Sequence, residues 1–178
     1  MLKHVVLLRG VNLGSRNRVA MPKLREALED AGFDDVQTYL QSGNVVLSSG
    51  LTPAKVAAKC KRTIAESFGL DLDVLVRSKT QLAAIVKLDP LGKVAKDPKG
   101  YQVTFLSAKP KREAVERLEA LAAGKERLAA HGRELYAWHP NGVGRSKLAA
   151  ALSKKSLGVT ATARNWATVK KLLDLASA

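Results

Sequence analysis

Leu7 to Val19 reads LLRGVNLGSRNRV, and Tyr39 to Val46 reads YLQSGNVV. The first stretch continues a nearly unbroken apolar run from Lys3 to Arg9, the pattern of a strand buried on both faces. It then breaks at Gly10 into a loop carrying Arg9, Asn12, Arg16, Asn17 and Arg18. The second stretch places Gln41, Ser42 and Asn44 around Gly43, between two strand-like runs. Both put polar side chains at a strand end, where a core can hold them rigidly on one side while they face a ligand on the other.

Working outward, Leu24, Ala27, Leu28 and Ala31 fall on one helical face, with Pro22 in the first turn and Gly32 as the stop. Val36–Gln41 and Val45–Ser49 read as strands. Thr52 and Pro53 open a helix whose inner face is Val56, Cys60, Ile64 and Phe68, ended by Gly69. Leu72–Arg77 is a fourth strand, and Ser78 with Gln81 forms a capping box for a short helix through Leu88. The order β-α-β-β-α-β is the split βαβ, or ferredoxin-like, pattern. Residues 89–100, with two prolines and two glycines, read as a boundary.

The second half repeats this order. Tyr101–Ala108 is a strand, and Pro110 opens a helix with Ala114, Val115, Leu118 and Leu121 inward. Residues 126–130 and 134–139 form a hairpin around His131-Gly132. Ser146 caps a helix running to near Gly158, Val159–Ala163 is a short strand, and Trp166 to Ala176 is a terminal helix. The element order repeats without a residue-by-residue match. The expected fold is α+β: two tandem ferredoxin-like subdomains with a C-terminal helix. Residues 1–89 carry both motifs, and residues 90–178 form a basic half.

Apolar residues make up 46% of the 178, which indicates a globular chain. No apolar run reaches the length of a membrane helix, and the N-terminus lacks a signal-peptide pattern. Cys60 is the only cysteine, which excludes an internal disulfide and fits the cytoplasm. The net charge is +14, divided as +4 over residues 1–89 and +10 over residues 90–178. Such a field attracts anions, or simply keeps a basic protein soluble. With 4% aromatic residues, base-stacking platforms for single strands are disfavoured.

Each candidate residue has a functional and a plain reading. The Gly10–Gly14 loop can cradle phosphate through backbone N–H groups helped by Arg9, Arg16 or Arg18, but it is neither a P-loop nor G-x-G-x-x-G. Alternatively, Asn12 and Asn17 bond their own backbone in a turn. Gln41, Ser42 and Asn44 either complete the same site or make a hairpin turn. In a ferredoxin-like sheet the Arg9 end of strand one lies beside the start of strand three at Asn44. A nucleophilic Ser42 lacks a nearby histidine. Gly142–Lys147, ending in Arg145 and Lys147, is a second anion loop or an ordinary Ser146 cap. Arg164 and Asn165 clamp a carboxylate or phosphate, or else cap and pair within the fold. His4, His131 and His139 lack metal-ligand spacing, so no metal and no cofactor is expected. The two helical runs after Ser146 can be read as helix-turn-helix, but Gly158–Ala163 is too long and β-branched for the turn.

Four stretches together resemble an uncharacterised bacterial family, domain of unknown function 1697. They are Leu8-Arg9-Gly10-Val11-Asn12-Leu13-Gly14 continuing to Asn17 and Met21, Tyr39 with Gln41-Ser42-Gly43-Asn44-Val45, Ser146-Lys147-Leu148, and Thr162-Ala163-Arg164-Asn165-Trp166 with Thr168. Ser15 stands where such sequences often carry a second glycine. The resemblance implies a duplicated α+β fold and no activity.

Three functional classes follow. One is an anion-binding protein for nucleic acid, held by charge and shape. Another binds a phosphorylated or carboxylated small molecule, as sensor or enzyme, at Arg9, Asn12, Asn17, Gln41, Ser42 and Asn44, joined by Lys147, Arg164 and Asn165. Asparagine, glutamine and arginine suit recognition better than proton transfer, so binding is expected before catalysis. The third is a protein–protein or homo-oligomeric interaction module.

Overall fold

Strand β1 (Leu2–Leu8) is the centre of the first sheet and bonds a neighbour on each side. His4 to Leu8 are buried without alternation, so both faces of this strand are covered, which is what the apolar run serves. The computed structural model describes residues 1–154 and 157–178. After β1 come α1 (Met21–Asp30), β2 (Asp34–Tyr39), β3 (Asn44–Ser49), α2 (Pro53–Phe68), β4 (Val74–Ser78) and α3 (Lys79–Leu88). The sheet is antiparallel in the order β2-β3-β1-β4. Its register pairs Leu7 with Asn44 and Val5 with Arg77.

Local chemistry sets the helix ends. The Thr52 hydroxyl accepts from the Lys55 N–H at 3.3 Å, and Gly69 takes the left-handed conformation (φ 66°) that closes α2. Ser78 and Gln81 cap α3 reciprocally: the Ser78 N–H donates to Gln81 Oε1 at 2.8 Å and the Gln81 N–H to Ser78 Oγ at 3.1 Å. Helices α1 and α2 cover one face, where Val6, Leu8, Leu24, Leu28, Val45, Leu47, Val56, Cys60, Ile64 and Val76 share one core. Burial pushes the Cys60 thiol up to about 12, so it is inert packing.

The second half comprises β5 (Tyr101–Leu106), α4 (Arg112–Glu119), β6 (Arg127–His131), β7 (Glu134–Trp138), α5 (Lys147–Leu152), β8 (Ala161–Asn165) and α6 (Trp166–Ser177). Its sheet runs β6-β7-β5-β8, also antiparallel. The compact units are Met1–Ala84 with Lys171–Ala178, and Ile85–Lys170. Leu106, Leu118, Leu135, Ala137, Leu148, Leu152 and Ala161 form a core under α4 and α5. Helix α5 is shorter than its periodicity suggested, ending at Leu152 with Ser153 as cap, and Lys155 and Ser156 lie outside the described residues. Strand β8 begins two residues later than expected. It stands between α5 and α6, so the helix-turn-helix reading falls.

The sheet registers expose a duplication that residue identity hides. The Leu8 N–H donates to the Gly43 carbonyl and the Leu106 N–H to the Arg133 carbonyl, both at 2.9 Å. On the opposite edge, the Arg9 N–H reaches Asp73 and the Ser107 N–H reaches Thr160. Under this alignment Arg77, opposite Val5, matches Arg164, opposite Val103. Both arginines are buried and both donate to the preceding carbonyl, at 3.1 and 2.9 Å. Ser78 with Gln81 matches Asn165 with Thr168, whose N–H donates to Asn165 Oδ1 at 2.9 Å.

Candidate anion-binding cleft

The loop after β1 is folded on itself by its asparagines. Asn12 and Asn17 both adopt left-handed backbone (φ 53° and 49°), which asparagine tolerates better than other non-glycine residues. The Asn12 N–H donates to the Asn17 carbonyl at 3.0 Å. The Asn12 side chain donates to the carbonyls of Val19 (3.0 Å) and Gln41 (2.7 Å) and accepts from the Val19 N–H (2.9 Å). It therefore staples this loop to the β2–β3 turn. Asn17 Nδ2 donates to the Gly10 carbonyl at 3.0 Å.

Asn12→Ala removes three hydrogen bonds and puts alanine in left-handed backbone, at a cost of about 2–3 kcal/mol. Asn12→Gly keeps the backbone and loses only the bonds, about 1–2 kcal/mol. Urea unfolding should order them wild type, glycine, alanine. Equal stability of the two variants would show that the left-handed backbone carries no weight.

The facing turn is equally constrained. Asn44 is fully buried, and its Nδ2 donates to the Tyr39 carbonyl (3.0 Å) and Ser42 Oγ (2.9 Å). Arg9 lies 3.7 Å from Asp73. Between the two loops and the start of α1 is a cleft of about 460 Å³. Asn12 and Gln41 line it on one side, Arg18 and Lys23 supply its charge, and Phe68 at the end of α2 closes its floor. No acidic residue lines it among the described residues. Arg18 donates to the Gly14 carbonyl at 2.9 Å, and neither Arg18 nor Lys23 forms an ion pair among the described residues. Elsewhere Lys3, Arg9, Arg25, Lys61 and Arg112 each pair with an acid.

Of the residues singled out in the sequence, Asn12, Arg18 and Gln41 thus reach the cleft wall. Arg9, Asn17, Ser42 and Asn44 belong to the loops that shape it. Lys23 was missed because it reads as a solvated helix position.

Lys147, Arg164 and Asn165 lie in the second unit. Lys147 is exposed at the first residue of α5. Arg164 donates to Thr162 Oγ1 at 2.7 Å, and burial draws its guanidinium down to about 10. Ala161 packs with Leu148 and Leu152 of α5, so Arg164, three residues along the strand, projects from the other face of the sheet. Lys147 and Arg164 are therefore not on one face. Asn165 Oδ1 is engaged by the Thr168 N–H.

Two further features escaped the sequence reading. Arg77 is one, although the parallel of Arg77-Ser78-x-x-Gln81 with Arg164-Asn165-x-x-Thr168 was a usable signal. The other is a partly buried polar chain. Glu126 Oε2 accepts from Ser146 Oγ at 2.5 Å and pairs with His139 Nδ1 at 2.6 Å. Ser146 Oγ in turn accepts from the Ala149 N–H at 3.0 Å, capping α5. The loop before Lys147 is thereby tied to the β6–β7 hairpin.

The molecule is thus an α+β protein of two four-stranded antiparallel sheets with a basic, acid-free cleft in its first unit. Its residues 1–136 match the family described as "Protein of unknown function (DUF1697)", and the chain belongs to that family. A solved structure described as conserved bacterial protein SP0830 from Streptococcus pneumoniae is similar in fold. It shares 21% identity at a TM-score of 0.80, with 98% of each chain covered. No curated protein matches. Among the described residues, no helix is long and apolar enough to cross a membrane, and no His, Cys, Asp and Glu group has the makings of a metal site.

Proposed function

We propose that the first unit binds a small phosphorylated or carboxylated anion in the cleft formed by Asn12, Arg18, Lys23 and Gln41. One observation carries this reading: two cations without acidic partners face a cavity whose wall contains no carboxylate. An anion entering it meets two cations and the Gln41 side-chain amide and displaces no ion pair, while Asn12, whose amide hydrogens are spent on the Val19 and Gln41 carbonyls, shapes the wall. The asparagine staple holds this geometry before a ligand arrives, which reduces the ordering cost of binding. Arg9, Asn17, Ser42 and Asn44 act as the frame. No residue in the cleft is a natural general base, so recognition is the proposed role.

Each unit is further read as ferredoxin-like, supported by the 2-3-1-4 antiparallel strand order in both sheets. A cytoplasmic setting is supported by the lone, buried Cys60. Nucleic acid is the competing ligand, favoured by the +10 charge of residues 90–178.

A thermal-shift panel of nucleotides, sugar phosphates, short RNA and short DNA, at low and high salt, separates these ligands. A metabolite at a hundredfold excess over its dissociation constant should stabilise by about 2.7 kcal/mol. The double variant Arg18→Ala/Lys23→Ala should bind that metabolite at least about tenfold more weakly, the loss of one charge-assisted hydrogen bond. Stabilisation by polymers alone, abolished by salt, would replace this reading with the nucleic-acid one.

A further inference from the structure

We propose that the second unit holds its own anion-binding cleft, formed by Lys109, Lys111 and Arg117 and taking a phosphate or phosphate-ester group. The site is a cavity of about 390 Å³ bounded by the segment leading into α4, by α4 itself and by Leu157–Val159. Among the described residues its charged lining is those three cations and Glu113, a surplus of two positive charges.

The pairing pattern is informative. Arg112 and Glu116, four apart on the same helix, form an ion pair at 3.1 Å, as do Arg25 and Glu29 on α1 at 2.9 Å. Glu113 and Arg117 have the same spacing in the more favourable order, acid before base. Yet neither they nor the two lysines form an ion pair among the described residues. Three cations with no ion pair among the described residues therefore face this cavity against one carboxylate, Glu113.

Its place in the fold is the one the duplication dictates. The first cleft lies between the loop entering α1 and Phe68 at the end of α2. The second lies between the segment entering α4 and the residues that follow α5. Helices α1 and α4 are equivalent, and so are α2 and α5. Two halves without residue-by-residue similarity have each set unpaired cations over the same topological position. A chain of net charge +14 leaves many cations unpaired, and what sets these apart is that they border a cavity at the same topological position in both halves. This extends the anion reading of the first unit, and the two are tested separately.

The test is calorimetric titration of the full chain with inorganic pyrophosphate at low salt, where screening is weak. Three double variants are compared: Lys109→Ala/Lys111→Ala, Arg18→Ala/Lys23→Ala, and the exposed control Lys170→Ala/Lys171→Ala, which removes the same charge elsewhere. The proposal predicts two sites per chain. The first variant should weaken one of them about tenfold, and the control should leave both unchanged. An isotherm untouched by Lys109→Ala/Lys111→Ala overturns the proposal, as does equal weakening by the control. An isotherm untouched by Arg18→Ala/Lys23→Ala, but altered by the first variant, overturns the first-unit reading and leaves this one standing.

Discussion

Glu126→Ala is expected to destabilise the protein by about 2–3 kcal/mol, because it strips the charged acceptor from a partly buried hydrogen-bond network. The Glu126 side chain is 9% exposed and that of His139 is 0% exposed. Glu126 Oε2 holds Ser146 Oγ and His139 Nδ1, and Oε1 accepts from the Ala123 N–H at 3.1 Å. Truncation leaves a hydroxyl and an imidazole without their partner, and little water can reach the imidazole. The substituted chain also loses the group that orients the cap of α5. Glu126→Gln keeps the volume but loses the charge, and should cost roughly half as much.

A pH dependence follows from the same contacts. Burial pushes the Glu126 carboxyl up, but hydrogen bonds from Ser146, His139 and the Ala123 N–H outweigh it and hold the group below its ordinary 4.5. The folded state therefore binds fewer protons than the unfolded chain near this value. Its stabilising contribution is full above 4.5 and disappears as pH falls through the folded value. Urea unfolding at about pH 7 should show the full gap between wild type and Glu126→Gln, and at about pH 3 a smaller one. A gap that is constant or grows in acid would contradict the assignment.

Gly43→Ala is expected to cost about 3 kcal/mol, or roughly 6–12 °C in melting temperature. Gly43 sits at φ 83°, where an L side chain is strained. An added Cβ would lie 2.6 Å from Val11 Cγ2 and 2.8 Å from Leu8 Cβ. Both neighbours are core residues with little room to give. Gly14→Ala is the comparison: at φ 58° it bears similar backbone strain, but nothing lies within 4 Å of the added Cβ. It should cost about 1 kcal/mol. Calorimetric melting of both variants checks this. Equal losses would mean that the close approach of the turn to Leu8 and Val11 does not matter.

What could be read from the sequence was what local chemistry decides. Thr52, Gly69, the Ser78–Gln81 box and Ser146 each signal a helix end through residues three or four away, and each stands where it was expected. The adjacency of the β1 end and Asn44 also followed, because element order restricts the sheet to few topologies. Non-local pairings stayed hidden. Glu126 meets His139 and Ser146 across 13 and 20 residues, and nothing near Glu126 announces it. Arg77 looked like the end of a strand, because a charged residue there ordinarily meets solvent. The duplication was legible in the element order, but its residue-level alignment escaped because it is kept in hydrogen-bond register and largely lost in side chains. For the cleft, Asn12, Arg18 and Gln41 could be named early. Lys23 could not, since which face of α1 borders the loop depends on how the loop folds.

The central claim is that the cleft at Asn12, Arg18, Lys23 and Gln41 receives an anion. Its most direct test is a titration of isotopically labelled protein with inorganic phosphate and then pyrophosphate, followed by amide chemical shifts. The account predicts saturable shifts concentrated at Arg18, Lys23, Gln41 and the Asn12 side-chain amide, abolished in Arg18→Ala/Lys23→Ala. Shifts scattered over the surface lysines, or none at these four residues, would contradict it.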